Sequence, residues 1–217
     1  MKKYVIYAGV NGAGKSTFYN MKSQYNLPRV NSDEIVKELG DWKNVADTMK
    51  AGKIAVQRIN DYFAQGISFN QETTLCGHSI FRNIKRAKQQ GYVVEMFYVG
   101  LESAEIAKER IAKRVACGGH GIPDEDVERR YVESLKSLRK AIEMCDLVSV
   151  NDNTETMRRF AIYKNGKLCL LSRNVPEWFQ RLDIEYALDE ADNLADSDTE
   201  RYTHEVMFSR LKDNTKD

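Results

Sequence analysis

The segment of this chain with the clearest chemistry is Gly9-Val10-Asn11-Gly12-Ala13-Gly14-Lys15-Ser16. It satisfies the pattern G-x-x-x-x-G-K-[ST], follows the apolar run Lys3–Ala8 and opens a helical stretch from Lys15 to Met21. Glycines in such a loop let consecutive backbone N–H groups converge on an oligophosphate, and the helix behind them presents its positive N-terminal end. Lys15 then reaches the outer phosphates, and the Ser16 hydroxyl enters the shell of a magnesium ion. The expected nucleotide-binding residues are Gly9, Asn11, Gly12, Ala13, Gly14, Lys15, Ser16 and Thr17, with Ser16 as the metal ligand.

A phosphate loop serves switches, motors and kinases alike, so residues elsewhere must decide among them. Motors and switches carry an aspartate at the end of an apolar strand to hold magnesium, whereas Tyr92–Val99 runs on into Gly100-Leu101 with Glu95 its sole acid. Asp33 instead follows the short run Arg29–Asn31, at the carboxyl end of the expected second strand, where open α/β sheets place their ligands. A carboxylate there can accept the proton of an attacking hydroxyl. It can equally cap a helix, because Asn31-Ser32-Asp33 precedes Glu34-Ile35-Val36 and all three residue types favour caps. Local sequence leaves both roles open.

Helical phase sorts the arginines. Along Asp124–Cys145 the apolar positions Val127, Tyr131, Leu135, Leu138 and Ile142 define one face, at about 100° per residue. Arg130 borders that face and Arg129 points almost opposite. On Ser103–Cys117 the face is Ala104, Ala107, Ile111 and Val115, with Arg114 at its border and Arg110 farther round. Arg114 and Arg130 are thus the candidate phosphate clamps, on two helices flanking a glycine-rich linker able to move as a lid. His120, between Gly119 and Gly121, reads as a loop residue and is assigned no role. Trp42, Trp178 and the tyrosines do not alternate with basic residues on one face, so no nucleic-acid platform is expected.

Other runs must position these residues. Strands are expected at Lys3–Ala8, Arg29–Asn31, Ile67–Asn70, Tyr92–Val99 and Leu147–Asn151, separated by helical patterns at Val45–Gln65, Ser79–Gln90, Ser103–Cys117 and Asp124–Cys145. Alternating β and α gives a mainly parallel sheet between helical layers, a three-layer sandwich of the P-loop NTPase class. Phe160–Tyr163, the turn Asn165-Gly166 and Lys167–Ser172 read as a C-terminal β-hairpin, followed by a helix from Pro176. With 42% hydrophobic and 30% charged residues and three prolines, the 217-residue chain is expected to be globular, not disordered or collagenous. No apolar run approaches the roughly 18 residues that span a bilayer, so no membrane partner is expected. Four scattered cysteines, without a Cys-x-x-Cys pair, fit a reducing cytoplasm. Residues 183–217 carry 11 acidic and four basic side chains, which leaves a charge of +8 on residues 1–182. The expected organisation is a P-loop domain over 1–182 and an acidic helical or partly mobile tail over 183–217.

Gly9–Thr17, Asn31-Ser32-Asp33-Glu34-Ile35, Gln71-Glu72-Thr73-Thr74-Leu75 and Val115–Pro123 followed by Val127-Glu128-Arg129-Arg130-Tyr131 together resemble the zeta-toxin-like kinases, in order and spacing, over roughly residues 1–180. The resemblance implies phosphorylation of a sugar hydroxyl of UDP-N-acetylglucosamine, with ATP or GTP and magnesium, and an antitoxin protein that blocks the nucleotide site. It implies that Asp33 is the catalytic base, assisted by Lys15, Arg114 and Arg130, and that Glu72 and Thr74 form a substrate-binding pair. The same loop and aspartate would also serve a polynucleotide or nucleoside kinase, and a non-enzymatic nucleotide-binding switch needs the loop alone. The acidic segment 183–217 has no counterpart in the resemblance.

Overall fold

A computed structural model describes residues 1–22 and 26–182 of the chain. Strand β1 (Lys3–Ala8) leads through the glycine loop into α1 (Lys15–Lys22). There follow β2 (Arg29–Val30), α2 (Ser32–Leu39), α3 (Val45–Gln65), β3 (Phe69–Thr73), α4 (Ser79–Gln89), β4 (Val93–Gly100), α5 (Ala104–Ala116), α6 (Asp124–Met144) and β5 (Leu147–Asp152). The hairpin β6 (Arg158–Lys164) and β7 (Lys167–Leu171) comes last, turning at Asn165 and Gly166, both with positive φ as a tight hairpin requires.

One seven-stranded sheet has the order β2-β3-β1-β4-β5-β6-β7. The first five strands are parallel, and the hairpin extends the edge antiparallel to β5. Side chains alternate across β1, as strand geometry requires. Val5 and Tyr7 pack with Phe18 of α1 and with Ala107 and Ile111 of α5, while Tyr4 meets Phe63 of α3. Helices therefore cover both faces, and the expected α/β sandwich is the fold observed.

Most element boundaries shift by a residue or two, and two of these differences bear on the site. The strand expected at Ile67–Asn70 lies at Phe69–Thr73, paired from Tyr4↔Phe69 to Ala8↔Thr73. Its polar half reads as loop because its side chains meet polar partners instead of core; Gln71, for instance, accepts from the Tyr4 hydroxyl. The second strand ends at Val30, because Asn31 leaves the sheet to cap α2.

The chain divides into two compact units, Met1–Trp178 and Phe179–Asp217. The sheet and its helices belong to the first; of the second, residues 179–182 are described, as helix. The acidic segment 183–217 lies outside the described residues. Among the described residues no helix is long and apolar enough to cross a membrane, and all four cysteines are free thiols.

Candidate active site

The carboxyl ends of β1, β2 and β3 open onto a cavity of about 450 Å³. Its walls are Asn11, Gly12, Gly14, Lys15, Ser16, Thr17 and Asn20 from the loop and α1, Asn31, Asp33, Glu34 and Lys37 at α2, Glu72 of β3, and Arg110, Arg114 and His120 from α5 and the linker after it.

The loop is fixed by close backbone approach. Gly9 has φ +137°, and a Cβ there would lie 2.1 Å from the Val99 carbonyl oxygen, so only glycine lets the chain pass the end of β4. On the other side, the Asn153 amide just beyond β5 donates to the Ala13 carbonyl at 2.8 Å. Lys15 is buried, donates to the Val10 carbonyl at 3.0 Å and lies 4.0 Å from the Glu72 carboxylate. Burial pulls its pKa below the ordinary lysine value, against the opposing charges of Glu72 and Asp33.

Glu72 is held from several directions. Its carboxylate accepts from the Ser16 hydroxyl at 3.0 Å, from the Asn31 amide at 3.1 Å and from Arg29. Arg29 also pairs with Glu34 at 2.8 Å and lies 4.0 Å over the Tyr19 ring. The Ser16 hydroxyl and the Glu72 carboxylate offer hard oxygen donors, the kind magnesium selects, with phosphate oxygens and water completing its shell. Among the described residues no group of three or more His, Cys, Asp or Glu side chains could hold a metal.

Thr74 lies just beyond the end of β3, which stops at Thr73. The Thr73 hydroxyl accepts from the Leu75 amide at 3.0 Å, Leu75 turns inward with φ +63°, and Thr74 is not among the cavity walls.

The two roles open to Asp33 separate in the structure. Asn31, with φ −133° and ψ 114°, is the N-cap of α2, and its side-chain oxygen accepts from the Asp33 backbone N–H at 2.9 Å. The Asp33 carboxylate is left on the cavity wall, with Oδ1 4.0 Å from Nε2 of His120. Burial lowers the pKa of His120, against the opposing charge of Asp33.

The arginines follow their helical phase in part. Arg129 is exposed and tied along its own helix to Asp126 at 2.7 Å and Glu133 at 3.0 Å. Arg130 reaches the loop, donating to the Asn11 side-chain oxygen at 3.4 Å, with Asp126 at 3.5 Å. Arg114 lines the cavity, and its Nε and Nη2 atoms are buried without a hydrogen-bond partner among the described residues, the arrangement that a bound anion would complete. Arg110 lines the cavity too, donating to the Thr154 carbonyl at 2.9 Å. Phase along one helix did not place it, because the chain after β5 meets it from outside that helix. Arg29, Asn153 and His120 likewise escape sequence reasoning, since their partners are 43, 140 and 87 residues away; each pairing appears only once the sheet is assembled.

A model of the zeta toxin family matches residues 1–175. An uncharacterized protein of Haemophilus influenzae is 34% identical over 129 residues, 59% of this chain and 92% of that protein. Among solved structures, the complex AvrRxo1-ORF1:AvrRxo1-ORF2 with sulphate ions gives a TM-score of 0.66 at 14% identity, over 84% of this chain and 63% of that chain. The same complex with ATP gives 0.64 at 15% identity, over 85% of this chain and 63% of that chain. The chain thus spans less than two thirds of the AvrRxo1 chains it matches. The PezAT chromosomal toxin-antitoxin system of Streptococcus pneumoniae gives a TM-score of 0.54 at 18% identity, over 72% of this chain and 71% of that chain. These structures share the fold, and the family model spans the loop, the sheet and every wall of the cavity: the chain belongs to the zeta toxin family.

Proposed function

We propose that the protein is a magnesium-dependent kinase that transfers the γ-phosphoryl group of ATP or GTP to a hydroxyl of a small molecule, with a nucleotide sugar such as UDP-N-acetylglucosamine as acceptor. The observation that carries the reading is the division of labour between Asn31 and Asp33: the first caps α2, and the second keeps its carboxylate on the cavity wall opposite the phosphate loop. The ATP-bound relative supports ATP as donor.

In this reading the acceptor oxygen attacks the γ-phosphorus in line and its proton passes to Asp33. The bond from that phosphorus to the β-phosphate oxygen breaks, and a nucleoside diphosphate leaves. Lys15 and the loop amides hold the oligophosphate, while Arg114 and Arg130 neutralise charge on the group in flight. Bound magnesium, held by Ser16 with Glu72 beside it, would neutralise the phosphate oxygens. Glu72 and, just past the end of β3, Thr74 are the residues that would hold the acceptor. A toxin–antitoxin relative supports a protein partner that acts as an antitoxin.

The test is mass spectrometry of nucleotide sugars, nucleosides and oligonucleotides incubated with protein, magnesium and ATP or GTP. A gain of one phosphoryl group on a nucleotide sugar is the expected result. Gain on a nucleoside or an oligonucleotide instead reassigns the acceptor, and intact nucleotide binding without transfer to any of them leaves a binding module.

A further inference from the structure

We infer that His120 is a positioning residue for this reaction, carried to the cavity by the linker between α5 and α6 and wedged against Trp42 so that it orients the Asp33 carboxylate towards the acceptor hydroxyl. The inference rests on the kinase reading above.

The linker has little freedom at this point. A Cβ at Gly119 would lie 2.5 Å from Cγ of Arg114 and 2.9 Å from its carbonyl oxygen; one at Gly121 would lie 2.6 Å from the Trp42 ring and 2.9 Å from Cγ2 of Val115. The chain passes so closely between α5 and Trp42 that neither flanking position admits a side chain, and this fixes where the histidine between them can go. Its ring packs 5.2 Å from that of Trp42, at 50°, and its side chain is 12% exposed. Nε2 faces Asp33 at 4.0 Å, and Nδ1 is buried with no hydrogen-bond partner among the described residues. An N–H buried without an acceptor is costly, so the proton belongs on Nε2, aimed at the carboxylate.

The gap of 4.0 Å is about 1 Å longer than a hydrogen bond, a distance that rotation of Asp33, the more exposed of the two side chains, closes as an acceptor enters. The imidazole N–H then restrains one carboxylate oxygen and leaves the other for the acceptor proton. That proton goes to Asp33, and His120 keeps its own throughout. Burial favours the neutral ring; Asp33 of α2 opposes this, and Arg114 of α5, Lys37 of α2 and Arg130 of α6 reinforce it.

Misplacing a reacting group by about 1 Å can cost 10²-fold in rate. We expect His120→Ala to slow single-turnover transfer by about 10- to 100-fold with nucleotide affinity unchanged, and His120→Gln, whose amide can still donate, to recover most of it. In an Asp33→Asn background His120→Ala should cost nothing further, because His120 acts through Asp33. No loss in the single variant, or an equal loss in both backgrounds, overturns the inference. A second arm needs no turnover: the imidazole titrations of the three histidines followed by NMR, with His120 assigned by its absence in His120→Gln. Removing the Asp33 charge in Asp33→Asn should move the His120 midpoint down. An unmoved midpoint overturns the contact itself, whereas a moved midpoint with no acceptor phosphorylated overturns the kinase reading and with it the catalytic role.

Discussion

Replacing Asp33 by Asn separates chemistry from architecture, because the structure sets different magnitudes for the two. Asp33 lies in the first turn of the eight-residue helix α2, and the capping bond from Asn31 is made to its backbone N–H, so the substitution leaves that bond in place. What α2 loses is a carboxylate near its positive end, worth about 0.3–1 kcal/mol on a partly exposed helix. For a domain of this size that is a fall in Tm of no more than about 4 °C. A general base contributes about 10²- to 10⁴-fold, or roughly 3–5 kcal/mol at the transition state. The expected outcome is a transfer rate down by two to four orders of magnitude in a protein that melts almost normally and binds ATP as before. The assay is single-turnover transfer to a confirmed acceptor, with calorimetric ATP affinity and thermal unfolding on the same samples. Unchanged transfer refutes the base assignment, and a large fall in Tm shows that Asp33 supports the fold.

Lys15→Ala should abolish transfer while leaving the circular dichroism spectrum unchanged; retained transfer in that variant would falsify the phosphate-loop assignment. Arg130→Ala should slow transfer at least about tenfold more than Arg129→Ala, since among the described residues Arg129 makes exposed ion pairs along its own helix, and equal kinetic effects would sink the phase argument. The charge of Glu72 holds up the pKa of Lys15, which burial already depresses, so Glu72→Gln should bring the loss of ATP affinity with rising pH to lower pH than in the unmodified protein; superimposable affinity profiles would rule this coupling out. Truncation after Leu182 should leave a folded, nucleotide-binding protein, whereas truncation after Arg173 removes Trp178, which is buried and donates through Nε1 to Asp152 at 3.1 Å, and should cost about 3–5 kcal/mol in denaturant unfolding. Equal stability of the two truncations would show that Trp178 contributes nothing.

What was legible in the sequence was local. The phosphate loop could be read because strand, turn and helix are adjacent along the chain. Arg130 could be told from Arg129 because the face of α6, with Val127, Leu138 and Ile142 buried, is set by a single helical period. The end of β3 was misplaced because Gln71 and Glu72 break the apolar run and gain their place only when their partners appear; Gln71 accepts from the Tyr4 hydroxyl and Glu72 faces Ser16. Thr74 is paired with Glu72 by motif alone, since β3 ends at Thr73 and the strand does not carry the pairing further. His120 carried no signal of its own, since Trp42 and Asp33 are neighbours only in space.

The sheet order has a consequence for how the protein is made. Strand β1 emerges first from the ribosome, yet both its neighbours come much later: Tyr4 pairs with Phe69, and Lys3 with Val93. The loop behind it turns against Val99 and is tied down by Asn153. At about 5–20 residues per second, the nucleotide-binding sequence therefore waits roughly 7–28 s on a growing polypeptide before the last of its supports is synthesised. A chain stalled before β4 carries the whole glycine motif without the Val99 and Asn153 that hold its backbone, and ATP affinity should appear in stalled chains only after Asn153 has cleared the exit tunnel.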